Sequence, residues 1–214
     1  PMSHRSDPEL LVALALRLKG FGEVDSIASV HGLAADMTGV ILSHMAAAEK
    51  CVMRQVEGVE KYVLTPTGRE EGQAALGQEM QIVEAREVVQ GAYDNFLQLN
   101  PEMLQLCTDW QVRDDHSGEQ KLNDHSDSEY DRKILDRLVT LDKQIADILR
   151  PLIDLLSRFD NYPSRFTLAL EKVLAGDLDW LTKPIMASYH TVWFELHEDL
   201  LATLGIDRAS EASV

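Results

Sequence analysis

His190 and His197 stand seven residues apart, close to two turns of helix, so a helical reading puts both imidazoles on one face, with Phe194 between them and Glu198 beside the second. Tyr189 and Trp193 border that face. Nitrogen and carboxylate donors of this kind suit a divalent metal, with Asp109, His116 or His125 as a third ligand, although spacing alone does not make them converge. Two other readings of these residues stay open. His190 and His197 can be boundary residues bonded to their own domain, with Trp110, Tyr189 and Trp193 in the core. Alternatively, Trp110, His125, Tyr189, His190, Trp193 and His197 can line a small-molecule pocket between helices, where aromatic rings supply most of the contact area. Asn123-Asp124-His125 has catalytic residue types, but within a polar run it reads as a turn whose side chains cap the backbone. The chain has no glycine-rich phosphate loop, Cys-x-x-Cys, nucleophile elbow or His-Glu-x-x-His. The expectation is therefore a non-enzyme without cofactor or metal. Cys51 is expected at a helix end and Cys107 in a core.

A second set of chemistry-bearing residues lies in the first third of the chain. Thr38, Ser43 and His44 could face bases, and Arg54, Lys61 and Arg69 could meet phosphates. The same residues could equally be solvated surface, and Glu57 and Glu60 nearby would repel phosphates. The elements that position them begin at Ser6-Asp7-Pro8-Glu9, where a capping side chain, a first-turn proline and an early acid start a helix. Leu10, Leu11, Leu14 and Leu18 give it one apolar stripe, and Gly20-Phe21-Gly22 stops it. Val24 to Val30 reads as a short helix with Ile27 and Ala28 inward, and His31-Gly32-Leu33 as a tight turn, which is a helix-turn-helix layout. The next helix, Ala34 to Lys50, places Met37, Ile41, Met45, Ala48 and Val52 at steps of three and four. Val52-Met53-Arg54 and Lys61-Tyr62-Val63-Leu64 read as strands around a Gly58 tip, and Thr65-Pro66 opens another helix.

The run Tyr62-Val63-Leu64-Thr65-Pro66-Thr67-Gly68-Arg69 resembles the wing-to-helix signature of MarR- and PadR-type winged-helix regulators, over about residues 8–80. That resemblance implies a DNA-binding transcriptional regulator. The sequence departs from the MarR pattern in lacking the Asp-x-Arg element of the wing, whose arginine enters the minor groove in that family. Residues Ala34 to Lys50 also offer no Arg, Asn or Gln for bidentate base contacts. The whole chain is also similar to uncharacterised actinobacterial proteins labelled regulators.

From Gly68 to Gln90 one long helix is expected, with Leu76, Met80, Val83 and Val88 inward. Asn100-Pro101 should cap another that reaches Arg113 and buries Leu104, with Leu106 or Cys107, beside Trp110. Asp114 to Ser128 lacks apolar periodicity and reads as a loop. Ser126-Asp127-Ser128-Glu129 then opens a helix toward Arg158, with Ile134, Leu138, Leu141, Ile145, Ile148, Leu152 and Leu155 at helical steps and a kink at Pro151. Helices over 164–175, 178–181 and 184–204 complete the chain, and no 20- to 50-residue repeat is visible.

Composition bounds the function. At 45% hydrophobic and 26% charged residues the chain of 214 is globular in character. Its net charge of -16 divides unevenly: residues 1–78 carry 7 basic and 10 acidic side chains (net -3), and residues 79–214 carry 13 and 26 (net -13). Any nucleic-acid contact must therefore be local. Two cysteines and no long apolar run point to the cytoplasm and away from a secreted or membrane protein. Pro1 ahead of Met2 is expected to remain from tag cleavage, with Met2 the natural start.

These readings combine into a mainly α chain: a winged helix-turn-helix with a short β-hairpin over residues 7–78, a linking helix over 79–99, and an all-α domain over 100–207. The expected function is a transcriptional regulator that grips double-stranded DNA as a homodimer, since paired half-sites compensate for a weak single module. The C-terminal domain would sense a small-molecule effector or oligomerise. The first helix and the linking helix are the candidate dimer surfaces. One alternative is a winged-helix module without DNA binding that holds a protein or a ligand, and another is a metal-dependent enzyme built on His190, His197 and Glu198.

Overall fold

The computed structural model describes residues 2–114 and 117–211 and is mainly helical. In chain order the elements are α1 (Pro8–Lys19), α2 (Val24–Val30), α3 (Ala35–Ala47), β1 (Cys51–Val56), β2 (Val59–Leu64), α4 (Pro66–Val83), α5 (Arg86–Gln111), β3 (Val112–Asp114), β4 (Gln120–Leu122), α6 (Ser128–Leu155), a 3-10 turn (Ser157–Asp160), α7 (Asn161–Leu174), α8 (Asp179–Thr182), α9 (Tyr189–Leu204) and α10 (Arg208–Glu211). Among the described residues no single helix is long and apolar enough to cross a membrane. The chain forms two compact units, residues 2–90 with 152–161 and 195–211, and residues 91–151 with 162–194. Each is assembled from separated stretches, so the expected contiguous boundaries at 78 and 99 do not coincide with either.

In the first unit, α1 starts where Asp7 accepts the Glu9 amide and ends at Gly20, whose φ of 78° suits glycine. Seven of its twelve residues are buried, including Val12, Ala13, Ala15 and Leu16, so α1 is covered on nearly every side. The one-sided stripe expected from its leucines is too narrow. Helices α2 and α3 are bent by 108° about their turn, and Ile27 and Ala28 point inward as expected. On α3 the buried residues are Thr38, Leu42 and Met45, while Met37 is 39% exposed. The inner face keeps the expected Met45, with Ile41 partly buried against the core, but takes Leu42 and Thr38 in place of Met37, because the Thr38 hydroxyl satisfies itself on the Ala34 carbonyl at 3.0 Å and can be buried.

Strands β1 and β2 pair antiparallel with Arg54 opposite Lys61. Their two-residue turn has positive φ at both Glu57 (53°) and Gly58 (80°), the twist-matched hairpin geometry. Cys51 begins β1 rather than ending a helix, and is buried with its sulfur 3.5 Å from the Leu42 carbonyl. Val52 is an exposed strand residue, not part of the α3 face. Gly22 exchanges both backbone hydrogen bonds with Tyr62, at 3.1 and 2.8 Å. Thr65 then caps α4: its hydroxyl oxygen accepts the Gly68 amide at 3.1 Å and its hydroxyl donates to the Glu49 carbonyl at 2.6 Å. The expected single helix over 68–90 is two, since Glu84 adopts a left-handed conformation (φ 52°) and ends α4 before α5 starts. Ala85 and Val89 are buried beyond that break, and Val88 is only partly covered.

The later stretches close the same unit. His4 forms a parallel bridge with Leu156, and the Ser3 hydroxyl donates to the Ile153 carbonyl at 2.7 Å. The 3-10 turn delivers Arg158 into the interior, where it donates to Glu79 (3.0 Å), Asp199 (2.7 Å) and Thr203 (2.8 Å) with its side chain 1% exposed. Burial opposes that charge, but Asp199 and Glu79 outweigh it and hold the guanidinium above its ordinary pKa. Gln73 donates to the Ala202 carbonyl at 2.8 Å and Arg86 to the Leu204 carbonyl at 3.5 Å, so the end of α9 has partners from α4 and α5.

In the second unit α5 runs through Pro101 without the expected break at Asn100. Pro101 and Leu97, whose carbonyl loses its helical partner, both face solvent, which can replace the bond. Met103, Leu106, Cys107 and Trp110 are buried, and Leu104 is not. Burial pushes the Cys107 thiol up to about 12, so it packs as an inert apolar group. The stretch read as a loop contains a second hairpin, β3 with β4, pairing Val112 with Leu122. Helix α6 buries Ile134, Leu138, Leu141, Ile145, Ile148 and Leu152 as expected, but ends at Leu155, before Arg158. Helix α7 starts at Asn161 and α9 at Tyr189, not at 164 and 184.

Candidate functional site

The first candidate surface is α3 with the β1–β2 hairpin. Of the residues expected to face bases, Thr38 is fully buried and cannot, Ser43 is exposed but donates to the Gly39 carbonyl at 3.0 Å, and His44 is exposed. The rest of the exposed α3 surface is Ala35, Asp36, Met37, Val40 and Ala47, apolar apart from one acid. The three cations fare better. Arg54 is exposed on β1 directly across from Lys61 on β2, and Arg69 is exposed near the start of α4. Among the described residues no acid forms an ion pair with any of them. Strand alternation puts Arg54 and Lys61 on one hairpin face with Val52, Val56, Val59 and Val63. The Lys61 ammonium lies 5.1 Å from the centre of the Phe21 ring, an exposed aromatic outside the expected set. Glu57 and Glu60 are exposed at and beside the tip.

The second candidate set is split. Tyr189 and Trp193 are core residues of the second unit: Phe166 lies 4.8 Å from Tyr189 and Phe96 4.9 Å from Trp193, ring centre to ring centre. Their polar tips are engaged, Tyr189 donating to Asp142 (2.8 Å) and the Trp193 indole to Asn100 (3.0 Å). Burial lifts the Asp142 carboxyl above its usual range despite the hydrogen bond from Tyr189. His197 belongs to the first unit and pairs with Glu211 at 2.9 Å, and Glu198 pairs with Arg208. His190 stands in the second unit, half-buried. The expected shared face thus does not gather these groups around a ligand. Asp109 is occupied by Arg137 at 2.7 Å, His116 lies outside the described residues, and no group of three metal-binding side chains converges among the described ones.

What the second unit does bring together is Trp110 and His125, ring centres 4.5 Å apart, at a cleft of about 520 Å³. His125 Nδ1 lies 2.8 Å from Asp131 Oδ2, and Asn123 Nδ2 donates to Asp131 Oδ1 at 2.9 Å and to the Trp110 carbonyl at 3.0 Å. Asp131 is not legible in the sequence as a partner, because it sits in the first turn of α6 and only the Asn123 turn swings His125 onto it. A further cleft of about 570 Å³ opens in the first unit, but its Glu9 and Glu71 are bridged by Lys50 at 2.9 Å each and its Glu79 is held by Arg158.

One pH effect follows from burial. His190 is held below its ordinary pKa by desolvation, so the unfolded chain takes up its proton first as pH falls. Its contribution to stability is complete above about pH 6.5, the ordinary histidine value, and is lost below. Thermal melts at pH 8 and pH 5.5 should show a smaller acid loss for His190→Gln than for the parent. An identical loss in both would assign the acid sensitivity elsewhere.

Compared with family models, with curated proteins and with solved structures, the chain finds no match in any of the three.

Proposed function

We propose that the chain is a DNA-binding regulator in which α1–α4 and the β1–β2 hairpin act as a winged helix, working as a homodimer on a duplex, with the second unit taking a small-molecule effector. The observation that carries this reading is the hairpin pair Arg54 and Lys61, opposite each other across the strands and ion-paired to no acid among the described residues. The 108° bend between α2 and α3 falls within the roughly 90–120° of helix-turn-helix pairs. The Gly22–Tyr62 bridge fastens the hairpin to the α1–α2 connection, which would hold such a wing at a fixed angle. Phosphate contacts come from Arg54, Lys61 and Arg69. Base contacts are left to His44 and Ser43, so sequence preference should be modest.

Binding to duplex DNA should weaken with salt at about -0.9 in log–log slope per phosphate neutralised. Arg54→Ala and Lys61→Ala should each flatten that slope by about one unit. Titrations of a labelled duplex at several salt concentrations measure it. Binding that is absent, or that is indifferent to both substitutions, defeats the reading.

A second reading is favoured by one observation: the outward face of α3 displays Met37 (39% exposed) and Val40 (55% exposed) beside Asp36. Such a face suits a protein partner better than a negatively charged groove. A Met37→Lys, Val40→Lys pair separates the two. It should strengthen duplex binding if α3 faces DNA, and leave it unchanged if α3 serves another protein.

A further inference from the structure

We propose that the cleft beside His125 binds an uncharged organic molecule with an apolar body and one O–H or N–H donor. This gives the effector half of the proposed function a place and a chemistry, and as a binding event it needs no DNA. Its volume of about 520 Å³ lies within the usual range for ligand sites, about 300–1,000 Å³.

The donor requirement comes from the imidazole. Asp131, nearly buried, faces His125 Nδ1 at 2.8 Å, and Asn123 fixes the other carboxylate oxygen. A carboxylate at that distance keeps the proton of the neutral ring on Nδ1. Nε2 is then a lone-pair acceptor with no hydrogen-bond partner among the described residues. The ring cannot swing to find one, because Trp110 packs on it with centroids 4.5 Å apart. The backbone is also committed: His125 has φ of 59°, a left-handed conformation held by its amide donating to Asn123 Oδ1 at 3.2 Å. An Asx turn accounts for that φ, but it does not account for an oriented imidazole that leaves its acceptor open at a cleft.

The remaining lining selects against ions. Lys183 and Asp179 pair with each other at 2.8 Å, so neither offers an unmatched charge. Leu122, 82% exposed, and Leu178 provide apolar surface for the body of the ligand.

The test uses the full chain at pH 8 with two matched probes, benzyl alcohol and benzyl methyl ether, which differ in whether they can donate. Histidine ¹⁵N spectra and tryptophan fluorescence report binding. The alcohol should bind roughly three- to tenfold more tightly than the ether, the worth of one hydrogen bond, and should move the His125 Nε2 resonance. His125→Phe keeps a ring on Trp110 and should erase the preference. The comparison of probes on the parent protein stands even if that variant does not fold. Equal affinity for the two probes, an unmoved Nε2 resonance, or no binding of either would overturn the proposal. Failure of duplex binding would leave it intact and remove only the regulatory meaning.

Discussion

Replacing Arg158 with Met is expected to cost the protein about 3–5 kcal/mol, because removing one partner from a buried ionic cluster strands the others. The guanidinium is enclosed with Glu79 and Asp199, both almost without solvent contact, and it also donates to Thr203. At roughly 2–4 °C per kcal/mol for a chain of this size, the melting temperature should fall by roughly 6–20 °C. The loss should depend on pH with a definite sign. Without the guanidinium, buried Asp199 loses its arginine and Glu79 keeps only His4, 3.5 Å away, and a carboxyl group buried without its cation titrates upward. An acid whose folded pKa exceeds its unfolded value favours the fold only while protonated, so stability drains away as pH rises. Arg158→Met should therefore be less impaired at pH 5 than at pH 8. The triple change Arg158→Met, Glu79→Leu, Asp199→Leu should regain most of the stability, since apolar residues of similar volume replace such clusters well. A single variant that melts with the parent at both pH values would show the cluster to be idle.

Gly68→Ala should be the other severe substitution. A Cβ built on Gly68 would stand 1.8 Å from the Lys50 carbonyl oxygen and 2.7 Å from its carbon, both main-chain atoms. That oxygen cannot step aside freely, because it accepts the Thr65 amide at 3.0 Å immediately before the α4 cap. The expected loss is about 3 kcal/mol, the upper end of ordinary overpacking. Gly77→Ala supplies the control within the same helix. Nothing lies within 4 Å of its added methyl, so helix propensity governs and stability should rise by about 0.5–1 kcal/mol. Denaturant titrations of both variants give the two signs. Equal and small effects would mean that the Lys50–Thr65 corner yields. The glycine of the Leu64–Arg69 run is in this view a packing requirement of the corner, whatever the arginine beside it does.

Local rules written into single residues are readable. Thr65 is the cap expected of it, Asp7 supplies the capping side chain expected within residues 6–9, Gly58 is at the hairpin tip, and α6 buries its periodic positions as far as Leu152. What fails depends on partners distant in sequence. Thr38 reads as outward because it is polar, yet one bond to its own helix lets it be buried. Met37 reads as inward because it is apolar. Glu84 breaks α4 without the glycine or asparagine that would announce it. Strands β3 and β4 span three residues each, too short for alternation to register. Among site residues, Trp110 meets His125, while Tyr189 and Trp193 pack in the core against Phe166 and Phe96, the position one of the two readings gave them. His190 and His197 share a helix, but its residues serve different units. No spacing rule shows where one compact unit ends along a continuous helix.

The dispersed make-up of the first unit bears on how the protein comes off the ribosome. Ala202 belongs to the same apolar cluster as α1, and Gln73 and Arg86 wait for carbonyls near the end of α9. A nascent chain that has released residues 2–90 still lacks those partners, so this unit closes only after residues 195–211 have also emerged. Until then the leucine-rich α1 lacks part of its apolar cover, a state that invites chaperone binding.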